Sequence, residues 1–590
     1  MEELKSFYNR QIQSHQEEWS RVKRQLYGSS MLRLAIFLAA VFGLYLLYGN
    51  AKGTLAVLLL TLVLFIFLVS RHTDLQYKRD KLAKLIHINQ KEIKVLHRNF
   101  HHLPDGIGFQ DPSHAYSQDI DLFGKGSFYQ YCNRTALGEG SQLLAQMLTA
   151  NTIDHIPEKQ EAIKELAGMP QWRQDFLATA VLAKVETPTT SIVKWIKDYR
   201  PFMPRMMRWL PTLFSLGSLA VVSLYFLDVV PESVLIYWGV AGFIITGIYS
   251  KKISRLTAHT SKIQSTFLQY KKLLRLVEDT EFKASRLQEE KENVMSQGKE
   301  TSAVLHEFSR LLGGLDQNNN IFYLVLGNGF FLRSLYHCYR IEQWIDRYGA
   351  NVEKWFHTMA FFDAYGSLGN FGFNHPDYTY PNIRTTNTVL KAEKATHPLL
   401  DPSKSVASDF EIQAEQFFIV TGANMAGKST FLRTVSLQIV MANMGLPVCA
   451  KALEYSPIKL ITSMRTSDSL TDDTSYFFSE LKRLKYIVDN IKEDRYFIVL
   501  DEILKGTNST DKAIGSRKFV EKLVASRSTG IIATHDLSLC EVAEKMPQVE
   551  NYYFDAEIKD NELYFDYTLK KGICKNMNAS FLLKKMEIVE

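Results

Sequence analysis

The chain has 590 residues, 46% of them hydrophobic, and 69 Lys and Arg stand against 63 Asp and Glu for a net charge of +6. That length leaves room for about three or four domains, and so small a charge on so long a chain is no evidence for nucleic-acid binding. Cys132, Cys338, Cys449, Cys540 and Cys574 are scattered without C-x-x-C spacing, which argues against a zinc site or a disulfide framework and reads as reduced core thiols.

The apolar residues are unevenly placed. Residues 34–48 and 54–70 are nearly charge-free runs separated by Gly49-Asn-Ala-Lys-Gly53, and residues 211–227 and 234–249 form a second pair around Asp228-Val-Val-Pro-Glu232. Each run approaches the roughly 20 residues that a membrane-spanning helix needs, with buried core helices as the competing explanation for the shorter ones. Arg21, Arg24 and Arg33 precede the first pair, and Arg71, Lys78 and Arg79 follow it. Lys197, Arg200, Arg205 and Arg208 precede the second, and Lys251, Lys252 and Arg255 follow it. The positive-inside rule then puts both hairpin tips outside and everything else in the cytoplasm, so a multi-pass protein of the cell membrane with lipid as a partner is expected. A first run that starts about thirty residues in and is followed by a second span resembles an anchor more than a cleaved signal peptide.

Between the two hairpins, residues 143–148 and 159–166 alternate polar and apolar residues at helical spacing. Residues 254–312 carry Lys271-Lys272 and Glu289-Glu-Lys-Glu292, which reads as a mixed-charge solvated helix rather than a DNA-gripping surface.

Past residue 400 the pattern changes to short apolar runs that end in polar groups. Phe417-Phe-Ile-Val420 reads as a buried strand, and Thr-Gly-Ala-Asn-Met-Ala-Gly-Lys-Ser-Thr430 continues it into a helical pattern. Gly422 and Gly427 frame the spacing G-x-x-x-x-G-K-S, in which backbone N–H groups and a helix N-terminus face phosphate oxygens. Gly422, Ala423, Asn424, Met425, Ala426, Gly427, Lys428, Ser429 and Thr430 are thus the candidate phosphate-binding residues for a nucleoside triphosphate, with Lys428 as the point charge and the Ser429 hydroxyl on Mg²⁺. A second run, Tyr496-Phe-Ile-Val-Leu500, delivers Asp501 and Glu502 to its end. In phosphoryl transfer the first carboxylate of such a pair holds the metal and the second orients or activates the attacking water. A third run, Thr529-Gly-Ile-Ile-Ala-Thr-His535, ends in a histidine placed to sense the terminal phosphate or the water.

Together these residues resemble the ATPase domain of the MutS mismatch-repair family. The phosphate loop is similar to that family's T-G-x-N-M-x-G-K-S-T, including Asn424 and Met425, and Asp501 to Asp511 is similar to its D-E-I-x-[RK]-G-T-[ST]-x-x-D. Ala533-Thr-His535 resembles its A-T-H switch, which implies a catalytic role for His535 beside Glu502. Arg465 to Leu470 and Ser475-Tyr-Phe-Phe-Ser-Glu480 resemble the signature segment, so the resemblance implies that Ser475 completes the site of a partner subunit in a homodimer. Asp472-Asp473-Thr474 departs from the small residue, glycine and arginine usual there. Residues 121–148 and 159–166 look like the start of the family's helical core, while the mismatch-reading and connector domains are not recognised before residue 120.

The expected architecture is a multidomain chain: an α-helical MutS-type core carrying two transmembrane helical hairpins, followed by an α/β P-loop ATPase domain of ABC-like type. The expected divisions are residues 1–100 for the first hairpin with charged helical flanks, 101–395 for the helical core and lever region interrupted by the second hairpin, and 396–590 for the ATPase. Two functions follow: a membrane-anchored, DNA-associated ATPase, as the family implies, or an ATP-driven membrane switch without DNA. No L-S-G-G-Q segment supports an ABC transporter.

Overall fold

A computed structural model describes residues 2–182, 187–295, 300–317, 323–465, 476–559 and 562–574. The chain opens with two antiparallel helices, Glu2–Leu46 and Ala51–Leu96, of 45 and 46 residues, each about 70 Å long at 1.5 Å per residue. Asn50 caps the second by accepting a hydrogen bond from Gly53 N at 3.1 Å, and Gly49 turns the chain at φ +91°. The expected apolar runs are therefore the upper parts of much longer rods. Lower down, Val22, Leu26, Leu82, Leu85 and Ile88 pack with Ala178 and tie the rods to helix Pro170–Leu182.

The second hairpin comprises helix Leu210–Phe226 and the 47-residue helix Glu232–Glu278. Three described helices, within Glu2–Leu46, Ala56–Leu96 and Glu232–Ala258, are long and apolar enough to cross a membrane, and Leu210–Phe226 is a shorter apolar helix. Sequence periodicity missed a further apolar segment, Tyr323–Phe331, which packs into this hairpin. The Ser218 hydroxyl donates to Phe330 O, and a side chain at Gly242 would strike the Gly329 carbonyl at 2.1 Å. Two glycines make that close approach by the backbone feasible.

The returning region is broken into helices Glu232–Glu278, Ser285–Glu292 and Thr301–Asp316, not one solvated rod. Its apolar face is buried: Phe267 packs on Phe356 of helix Val352–Asn374, whose own residues are mostly buried, and Phe308 on Phe267 and on Trp344 of helix Arg333–Tyr348. Helices Gly138–Thr149 and Ile156–Ala167 show the amphipathic spacing read from the sequence and close around the same helix.

The last part is α/β. Its strands are β1 (Asn382–Ile383), β2 (Thr388–Ala395), β3 (Ser408–Gln413), β4 (Phe417–Gly422), β5 (Ala452–Tyr455), β6 (Lys459–Ser463), β7 (Tyr496–Asp501), β8 (Thr529–Ala533), β9 (Val549–Lys559) and β10 (Glu562–Lys571). They form a four-stranded sheet ordered β1-β5-β2-β3 and a six-stranded sheet ordered β10-β9-β4-β8-β7-β6. In the larger sheet β9, β4, β8, β7 and β6 run parallel, and β10 pairs antiparallel to β9. Both faces of β4 are covered, which is why Phe417-Phe-Ile-Val420 is apolar throughout: Phe417 and Ile419 face one apolar cluster, Phe418 and Val420 the other. The cluster under Phe418 runs without a break into the helical core, so the two parts share apolar packing.

Candidate nucleotide site

At the carboxyl edge of the parallel sheet, β4 feeds a loop and then helix Lys428–Asn443. Gly422 has φ +149° and Gly427 φ +107°; a Cβ at Gly422 would lie 2.6 Å from the Phe554 carbonyl, so glycine is required there on two counts. Met425 adopts φ +65° and is 77% exposed, standing at the mouth of the loop. The Lys428 ammonium donates to the carbonyls of Gly422 and Ala423 at 2.9 Å each, which curls the loop around the start of the helix. Burial pushes the Lys428 pKa down, against the pull of Asp501 and Glu502.

Strands β7 and β8 supply the other half. The Ser429 hydroxyl donates to Asp501 Oδ2 at 2.7 Å. His535 Nε2 lies 2.7 Å from Glu502 Oε1 and 3.2 Å from Lys428 Nζ. One ring nitrogen cannot donate to the carboxylate and accept from the ammonium at once, and the shorter contact assigns the proton to the His535–Glu502 bond. That hydrogen bond is the main reason the Glu502 carboxyl falls to about 2 from its ordinary 4.5, with the charges of His535, Lys505 and Lys512 adding to it against partial burial. Glu502 (φ +48°) and Leu504 (φ +60°) both occupy the left-handed region, so the turn after β7 holds strain.

A cavity of about 720 Å³ joins these groups. It is lined by Asn424 through Thr430, Asp501, Glu502 and His535, together with His397, Lys404, Phe431 and Tyr567 from flanking segments. Gly422 and Ala423 lie behind it, as carbonyl partners of Lys428. Ser475, with residues 466–475, lies outside the described residues.

Two contributors were not singled out as site residues by spacing. Glu480 is 3% exposed, and its carboxylate accepts from the N–H groups of Leu504 and Lys505, bracing the strained turn that presents Glu502. A carboxylate that works by holding backbone carries no motif of its own. His397 is driven down to about 4, by burial first and then by Arg433, and its buried Nε2 has no hydrogen-bond partner beside the cavity. The wall carrying it is anchored from the helical side, because Arg98, two residues past helix Ala51–Leu96, donates to Pro398 O at 2.6 Å.

The donor set suits a hard divalent cation, since the Ser429 hydroxyl and the Asp501 carboxylate are oxygen ligands already in contact at the start of a helix.

Compared with known proteins, residues 418–587 match the family model MutS domain V. Residues 418–587 thus carry a MutS domain V. Similar proteins include human MutS protein homolog 4, 32% identical over 224 residues that cover 36% of this chain and 23% of that protein. The DNA mismatch repair protein MutS of Chlamydia pneumoniae is 31% identical over 205 residues, 33% of this chain and 24% of its own length. That of Chloroflexus aurantiacus is 29% identical over 244 residues, 40% and 24% respectively. The chain thus matches about a quarter of the length of these curated relatives. Residues 418–587 include the phosphate loop, Asp501, Glu502 and His535, while the cavity wall at His397 and Lys404 precedes them.

Proposed function

We propose that this chain is a membrane-anchored ATPase of MutS type that hydrolyses Mg-ATP as a dimer and associates with DNA. The observation that carries the ATPase reading is the convergence of Lys428, Ser429, Asp501, Glu502 and His535 on one cavity large enough for a nucleotide. Lys428 and the loop N–H groups would neutralise and orient the phosphates. Ser429 and Asp501 would hold Mg²⁺, which when bound offsets charge on the terminal phosphates. Glu502 stays ionised, and at about 2 it is a weak base, so its work is to aim the attacking water through a hydrogen bond more than to strip its proton early. As water oxygen bonds to the γ-phosphorus, the bond to the bridging oxygen breaks, ADP leaves, and the water proton passes by way of the carboxylate to phosphate. His535, within reach of both Lys428 and Glu502, is placed to exchange its carboxylate partner for the terminal phosphate.

Membrane anchoring rests on exposed apolar surface. Phe37, Phe42, Val63 and Phe67 are 56–65% exposed, a band whose hydration would cost about 25 cal/mol per Å² and which lipid would cover at no such cost. A cysteine introduced at Gly53 or Val230 should react with an impermeant thiol reagent added outside cells, and one at Lys512 should not. Recovery of the intact chain in the soluble fraction without detergent would refute the anchoring.

The dimer rests on the resemblance around Ser475 and is open to a mixing test. Lys428→Ala and Ser475→Ala chains should each be nearly inactive, and heterodimers of the two should regain part of the activity through one complete site. Heterodimers that form yet stay inactive would remove the trans-completed site.

DNA association is taken over from the relatives, whose names are those of mismatch-repair proteins. One observation favours a second reading, an ATP-driven membrane switch without DNA: the Arg98–Pro398 contact links a hairpin helix to the cavity wall. Binding of the detergent-solubilised chain to duplex DNA, followed as salt rises, separates the two, because phosphate contacts weaken steeply with salt. Salt-sensitive binding supports the first reading, and its absence at low salt supports the second.

A further inference from the structure

At the opposite end of helix Lys428–Asn443, about 22 Å from Lys428 at 1.5 Å per residue, a second cavity of about 110 Å³ lies between the helical core and the α/β part. Its lining includes Lys159 of helix Ile156–Ala167, Arg286 of helix Ser285–Glu292, Tyr365 of helix Val352–Asn374, and Asn443. We propose that this cavity binds one tetrahedral oxyanion of the phosphate class, held by Arg286, Lys159 and the Tyr365 hydroxyl.

The buried donors beside the cavity point that way. The Arg286 guanidinium lies within cation–π reach of Phe361 and Tyr365, 5.8 and 5.6 Å from their ring centres. Its Nε is buried without a well-aligned hydrogen-bond partner, and the buried Tyr365 hydroxyl faces the Arg286 side chain with no acceptor for its own proton. Among the described residues neither Arg286 nor Lys159 forms an ion pair within 4.0 Å, and the Lys159 ammonium donates only to Asn443 O, at 3.1 Å. Capping a helix C-terminus is sufficient reason for Lys159. It leaves the Arg286 Nε and the Tyr365 hydroxyl unexplained, and unpaired buried donors of this kind are costly. Glu158, the nearest carboxylate in sequence, meets His155 through Oε1 at 3.5 Å, while its Oε2 is buried without a hydrogen-bond partner and its charge acts on Arg286 and Lys159 from beyond ion-pair distance. Burial and then Arg286 lower the Lys159 pKa, against Asp154 and Glu158.

Size sets the ligand class. With about 30 Å³ per water, 110 Å³ holds three or four waters or one phosphate, and no nucleoside. An anion there would bridge three core helices to the end of the helix that begins at Lys428, and so couple phosphate concentration to the joint between the two parts of the chain. The proposal does not depend on the reaction proposed at the nucleotide cavity.

The test is equilibrium dialysis of the full chain in detergent with radiolabelled inorganic phosphate at constant ionic strength, paired with thermal unfolding in phosphate against chloride. One phosphate per chain at millimolar concentration is expected in the parent and in Lys428→Ala, with a phosphate-specific rise of a few degrees in Tm. Arg286→Gln should weaken binding at least about tenfold, and Arg286→Lys less. Should Arg286→Gln fail to fold, Tyr365→Phe removes one hydroxyl only and should weaken binding several-fold with Tm in chloride unchanged. No binding by the parent overturns the proposal. So does binding that survives Arg286→Gln or Tyr365→Phe but vanishes in Lys428→Ala, since that phosphate would sit in the nucleotide loop.

Discussion

Lys428→Ala is expected to abolish tight ATP binding, whereas Glu502→Gln should bind ATP as the parent does and turn it over at least about 100-fold more slowly. The two residues act on different charges. The Lys428 ammonium is already turned to the loop interior by the Gly422 and Ala423 carbonyls, where the phosphates would compete for it, so its loss removes ground-state attraction. Glutamine keeps the size of Glu502 and can still accept the hydrogen bond from His535, so the cavity persists while the full negative charge facing the water is lost. Titration with a fluorescent ATP analogue and a phosphate-release assay on both variants would decide it, and equal loss of affinity in the two would sink this division of labour. Because the Glu502 carboxyl lies at about 2, below its ordinary 4.5, the stability it contributes is present above about 4.5 and is lost as pH falls toward 2. Neutral-pH assays are therefore free of its titration.

The second large effect concerns the link between the hairpin helix and the core. Arg134→Met is expected to destabilise the fold by about 3–5 kcal/mol, because it strands a buried carboxylate. Arg134 Nε meets Glu92 Oε1 at 2.6 Å, with the side chains only 4% and 2% exposed. Glu92 Oε2 accepts from Asn370 at 3.1 Å and Asn374 at 2.8 Å, while Arg134 also donates to the carbonyls of Tyr131 and Asn133. Asn374 in turn receives the Tyr8 hydroxyl at 2.6 Å, so both long N-terminal helices are tied into one polar cluster. Burial alone would raise the Glu92 pKa, yet Arg134 and the two amides outweigh it and hold it below the ordinary value. The stabilisation is thus present above about 4.5 and fades in acid. Thermal unfolding of Arg134→Met at neutral pH should show a drop of several degrees, and the paired Glu92→Gln, Arg134→Met protein should recover part of it. An unchanged Tm would show that the pair is not buried in the folded protein.

Residue order alone was enough for the features whose physics is local. A strand, glycine loop and helix start that wrap phosphate must be contiguous, so residues 417–430 could be read directly, and so could the carboxylates that end the run before Asp501. Apolar runs long enough to span a bilayer, and their basic flanks, are likewise one-dimensional signals. Tertiary structure decided everything that depends on distant segments meeting. It brought His535 to Glu502, set Glu480 beneath the strained turn, and placed Arg98 on the cavity wall. It also carried the apolar runs into rods of 45 and 46 residues whose lower halves touch the core through a few residues such as Tyr8, Val22, Leu26, Leu82 and Leu85, and seated Tyr323–Phe331 against the second hairpin through paired glycines. The Glu92–Arg134 pair lies 42 residues apart in sequence, and the contacts of Arg134 and Glu92 with helix Val352–Asn374 span more than 200. No periodicity encodes such partners, since the burial that makes each charge costly, and the neighbour that offsets it, exist only once the core has closed.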